Sequence, residues 1–147
     1  MNVKQFTAPC PIIVGMRRRH VVAAGVAGAA LSGVPSTVVT LARGEDVLAG
    51  ARAAGAIVVP HAGGRVQLAA AVPVHLALSF GWAAVLAAAL PPRREPFYGA
   101  LGGLAIAALD LGLIGRRIPA IRALPQGRQW ADHVAFGLAV GVTLRTR

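Results

Sequence analysis

Four stretches of this chain, at about residues 21–41, 66–90, 97–114 and 130–144, are almost free of charge, and fourteen of the fifteen Lys and Arg residues lie between or beside them. A helix needs about 20 apolar residues to cross roughly 30 Å of hydrocarbon. Cationic residues collect where such helices meet headgroups. The pattern therefore predicts an all-α fold, a polytopic transmembrane bundle of about four spanning helices. Short loops favour antiparallel neighbours.

Composition agrees. The chain is 56% hydrophobic and 14% charged, against about 25% charged in soluble domains. Aromatics make up only 5%, so the apolar mass is Ala, Val, Leu and Gly. Small residues let helices approach closely in lipid, where packing replaces the hydrophobic effect as the source of cohesion. A soluble chain of this make-up would expose a large apolar patch. The net charge of +10 comes from arginines scattered at segment ends. With no basic helix face and no aromatic platform, this is not a nucleic-acid footprint, and the lipid bilayer is the expected partner. Cys10 is the only cysteine, so an intramolecular disulfide is excluded.

Residues 1–20 are expected to form a flexible cationic segment, and residues 21–147 a single transmembrane domain. Met16, just before Arg17, Arg18, Arg19 and His20, is an alternative start to Met1. The apolar run after the arginines is too long for a signal peptide and lacks a small-residue cleavage site at the right distance. It is expected to stay as the first span. Gly25, Gly28, Ser32 and Gly33 give that span a small face, and Pro35 should kink it. Glu45, Asp46 and Arg52 punctuate the next stretch, and Ala51–Pro60 is too short to cross, so residues 44–60 are expected to form an interfacial or re-entrant helix. Pro91, Pro92, Arg93, Arg94, Glu95 and Pro96 make a tight turn. The fourth stretch is short, reaching only about 22 Å at 1.5 Å per residue. Charge bias between the two sides is nearly even. The Arg17–Arg19 cluster at the first span places the amino terminus in the cytoplasm.

The few intramembrane polar groups gather in one half of the bilayer. Asp110 lies near the end of the third stretch and His133 at the start of the fourth, across one loop. His75 is about nine residues into the second, roughly 14 Å deep, and Ser36 and Thr37 end the first. Facing agrees with depth. Gly99 and Gly103 form a G-x-x-x-G pair, and Asp110 follows seven residues later on the same stripe. His133, Gly137 and Gly141 recur every four residues. Glycine faces pack against neighbours, so Asp110 and His133 should point inward and meet. His75 and Ser79 share a stripe on the second segment, with Trp82 one turn further. An intramembrane carboxylate normally finds a partner or a wet cavity. His75, Asp110, Asp132 and His133 are thus the candidate ligand or proton site, and Gly99, Gly103, Gly137 and Gly141 the candidate helix-packing residues. The bland alternative is a structural hydrogen bond between helices.

No nucleophile elbow, dinucleotide loop or H-E-x-x-H motif is present, nor any cysteine pair. No catalytic residue, cofactor or metal is expected. The Gly-rich first span (Ala24-Gly25 to Ser32-Gly33), the His75 span, the Gly99–Gly103 span and the loop from Leu124-Pro125 to Ala131-Asp132-His133 resemble the YagU-type family of bacterial inner-membrane proteins. That resemblance implies a multi-pass helical bundle of the bacterial inner membrane with a cytoplasmic amino terminus. The chain departs from the family in a shorter first half without the polar insert after the first span. The expected function is non-enzymatic: a polar intramembrane cluster that binds a small ligand or responds to protons. The alternative is a structural or accessory subunit of a larger complex or homo-oligomer, docked through Gly-rich faces. A lipid-directed enzyme using His75, Asp110 and His133 ranks last.

Overall fold

The computed structural model describes residues 11–91 and 95–145. Among them the chain is all helical, with no strand. Cys10, Arg93, Arg94 and Arg147 lie outside the described residues. Among the described residues, three segments are long and apolar enough to cross a membrane: Arg18–Ala42, Gly64–Ala89 and Glu95–Arg117.

Helix α1 (Pro11–Leu31) starts within the segment expected to be flexible, so residues 11–20 are helical. The first span does not merely kink at Pro35. It breaks at Ser32–Gly33 and restarts as α2 (Val34–Ala42), with Pro35 in the first turn of the new helix. Proline has no N–H to give the carbonyl four residues earlier, Leu31, and its ring crowds that position. The first turn is where a missing N–H costs nothing. Helix α2 then stops on Gly44, at φ +64°. Gly44 N–H bonds the Leu41 carbonyl and Glu45 N–H the Thr40 carbonyl, at 3.1 and 3.0 Å. This paired closure needs a left-handed residue, which glycine adopts without strain.

Residues 43–63 form a cap at one end of the bundle around the short helix α3 (Ala49–Gly55). Asp46 Oδ1 accepts the Leu48 N–H at 2.9 Å, and Arg52 donates to the same carboxylate. Gly55 lies so close to α4 that a side chain there would fall on the Gln67 carbonyl. Helix α4 (Gly64–Ala89) runs the length of the bundle, as does α5 (Glu95–Leu109), which continues into a wide π-helical turn, Asp110–Ile114, and a tight 3₁₀ turn, Gly115–Arg117. The short α6 (Pro119–Arg122) leads into α7 (Gln126–Leu144).

Helix α7 is the hub, touching α1, α2, α4 and α5. Gly28 faces Phe136 and Val140, whereas Ser36 meets Asp132 and Thr40 meets Arg128, so the first span runs antiparallel to it. Gly99 faces Gly137 and Gly141, and Gly103 faces His133, so α5 is antiparallel as well. The core of Ala24, Ala83, Leu86, Ile106, Phe136, Val140 and Leu144 lies between α1, α4, α5 and α7. Large apolar side chains such as Val26, Val72, Leu76, Phe97 and Leu101 point outward. Burying small residues and exposing large ones suits lipid rather than water.

Candidate functional site

The end of α5 builds the site. A regular helix would bond each carbonyl to the N–H four residues on. At Asp110 the carbonyl is taken by Gly115, five residues on, which widens the turn. A side chain at Gly115 would press on that carbonyl, at 2.7 Å. Wide turns of this kind recur at functional positions because they re-aim one side chain without ending the helix.

Three helices converge on Asp110. Trp82 Nε1, from α4, donates to its Oδ2 at 3.1 Å. His133 Nε2, from α7, lies 3.6 Å from the same oxygen, and both side chains are about one fifth exposed. The other ring nitrogen, Nδ1, is 2.8 Å from the Gln129 carbonyl on its own helix. A carbonyl can only accept, so Nδ1 carries a proton. The free ring nitrogen, Nε2, is the one that faces Asp110, at a separation that exceeds a normal hydrogen bond.

The approach of α5 and α7 makes this meeting feasible. A Cβ on Gly103 would strike the His133 carbonyl, and one on Gly137 would lie 2.9 Å from Gly103 Cα. Both glycine pairs are spent on each other.

The structure brings Asp110 and His133 together but sends His75 and Asp132 elsewhere, to the break in the first span. Asp132 Oδ1 accepts the Ser36 N–H at 2.8 Å, satisfying a donor in the first turn of α2. His75 Nε2 donates to the Ala29 carbonyl at 2.9 Å, one of the last-turn carbonyls of α1. Cut helix ends leave such groups unsatisfied, and in lipid no water can serve them. The two residues cap the two sides of one break. Adjacent positions on a helix point about 100° apart, which is why Asp132 and His133 serve different places. Trp82 is the site residue that sequence reasoning did not select. Its signal was present, since it follows His75 by seven residues on the same stripe.

Toward the capped end of the bundle, Arg128 donates to both oxygens of Glu45, the second at 3.0 Å, and to Thr40 Oγ1 at 3.2 Å. These hydrogen bonds, with the guanidinium charge, hold the Glu45 carboxyl below its usual range. A cleft of about 150 Å³ opens beside them, lined by residues including Ser36, Thr37, Thr40, Arg128 and Gln129. Among the described residues, no group of three or more His, Cys, Asp or Glu is placed to hold a metal.

Fold and composition together define a helical protein with several candidate membrane spans, the form of a multi-pass membrane protein. Comparison with protein-family models, with curated proteins and with solved structures finds no match.

Proposed function

We propose that this chain is a four-span membrane protein whose Asp110–His133 pair, steadied by Trp82, is a proton-responsive site. The carrying observation is the convergence of an acid, a base and an indole donor on one oxygen at the wide turn of α5. A histidine with one nitrogen committed and the other facing a carboxylate changes charge within the range of biological pH shifts. Helix α7 is the fourth span, held among three more apolar helices. The 44–60 segment lies at the interface rather than re-entering. Placement in a bacterial inner membrane with a cytoplasmic amino terminus follows the Arg17–Arg19 cluster and is what the resemblance to YagU-type proteins implies.

An accessory-subunit role through the Gly faces has less support, because Gly99, Gly103, Gly137 and Gly141 are covered within the chain.

The test uses Trp82 as its own reporter. The chain has two tryptophans, so Trp130→Phe leaves Trp82 alone. In proteoliposomes its fluorescence should show one step across about pH 5 to 8, where histidine changes charge. Asp110→Asn and His133→Gln should each abolish the step while leaving the circular dichroism spectrum unchanged. A flat titration in the Trp130→Phe protein, or the same step in all three, would refute the proposal.

A further inference from the structure

The capped end of the bundle carries a second feature, independent of the Asp110–His133 site. Its acids are Glu45 and Asp46, and both are engaged, with Arg128 and Arg52 respectively. Arg65, Arg116, Arg117 and Arg122 are exposed at the same end. Among the described residues none of these four forms an ion pair with an acid, the salt bridges being those of Arg43, Arg52, Arg128 and His133.

Local structure groups them. Arg116 and Arg117 sit on the 3₁₀ turn that ends the third apolar segment, directly after the exposed Leu113 and Ile114. Arg122 closes α6, which packs on both that turn and α3. Arg65 opens α4, beside the exposed Val66, and α4 packs on α3. Val47, Leu48, Ile57 and Val58 around α3 are exposed as well. Apolar side chains and cations thus share one surface at the rim of the membrane-crossing segments. Water would welcome the arginines but not the apolar groups, and hydrocarbon the reverse. A headgroup layer accepts both.

We infer that this end of the bundle is a binding surface for anionic phospholipid headgroups, recognised by Arg65, Arg116, Arg117 and Arg122. Guanidinium groups match phosphate geometry with paired N–H donors. Neighbouring apolar residues hold the acyl chains alongside, so the ligand is a lipid rather than free phosphate. Each arginine near such a surface strengthens attachment roughly fivefold.

The full chain, purified in mild detergent, would be offered equal phosphatidylglycerol and phosphatidylcholine and read by native mass spectrometry. Phosphatidylglycerol should be retained at least tenfold in preference. The R65Q/R116Q/R117Q/R122Q protein should fall to within about twofold of no preference, and the corresponding four-lysine protein should keep most of it. Raising salt from about 0.05 to 0.5 M should weaken retention by the unmodified chain, since exposed charges are screened. This arm holds even if the glutamine variant fails to fold. Equal retention of both lipids by the unmodified chain, or retention indifferent to salt, overturns the inference. So does displacement of the lipid by millimolar inorganic phosphate, which would make the surface a free-anion site.

Discussion

Replacing Gly103 by alanine adds one methyl group where α5 and α7 touch. That methyl would meet the backbone carbonyl of His133 and the Cα of Val134, the latter at 3.0 Å. Ordinary carbon contacts are about 3.5–4.0 Å. Backbone cannot rotate out of the way as a side-chain tip can, so the helices must part by about 1 Å or tilt. Overpacking of this kind typically costs about 1–3 kcal/mol. Gly137→Ala meets Gly103 N and Cα, at 2.8 and 2.9 Å, and should cost as much. The two substitutions act on one contact and should not add. Gly102→Ala meets only the flexible end of Leu86, at 2.5 Å, and should cost less. Gly81→Ala has nothing within 4 Å and should be neutral or stabilising by about 0.4–1 kcal/mol, since alanine has less freedom to lose on folding. Reversible unfolding in mixed micelles, followed by circular dichroism, measures all four. If Gly103→Ala and Gly137→Ala prove as stable as Gly81→Ala, the backbone-to-backbone packing described for α5 and α7 is incorrect.

Two further outcomes follow from the caps and the loop pair. Asp132→Ala removes the acceptor for Ser36 N–H and should destabilise the protein by about 0.5–2 kcal/mol, as loss of a helix cap does. Asp132→Asn keeps an acceptor and should cost less, and faster hydrogen exchange at the Ser36 amide would localise the effect. Glu45 has a depressed folded pKa, caused first by its hydrogen bonds from Arg128. Its contribution is therefore fully present above the unfolded value, about 4.3, and is lost as pH falls through the lower folded value. Acid titration of stability should show this loss in the unmodified chain and not in Glu45→Gln.

Much of the architecture could be read in the residues. The second apolar stretch, 66–90, corresponds to α4 at Gly64–Ala89, because charge and proline mark both its edges. Helix α7 is longer than the last apolar stretch, 130–144. Helix α7 begins at Gln126 and reaches about 28 Å, since Gln126, Arg128 and Gln129 read as loop although they extend the helix toward the rim. The break at Ser32–Gly33 was signalled by Pro35, but its exact place depends on capping by Asp132 and His75, two groups more than 30 residues away. For the same reason those residues looked like site members: polarity in an apolar stretch says that a partner exists, not which one. The wide turn at Asp110 left no mark in the sequence. Nothing in a run such as Asp110-Leu111-Gly112-Leu113 distinguishes five-residue from four-residue bonding.

The central position of α7 bears on how the protein is made. It is not among the segments apolar enough to cross a membrane by composition, and it carries Arg128, Asp132 and His133. A ribosome delivers it only after its three oilier companions have emerged. On the proposed reading of α7 as a fourth span, its polar groups leave the translocation channel into a waiting protein cleft rather than into lipid. Biogenesis would then be ordered from the front of the chain to the back, with the least greasy piece arriving as the keystone.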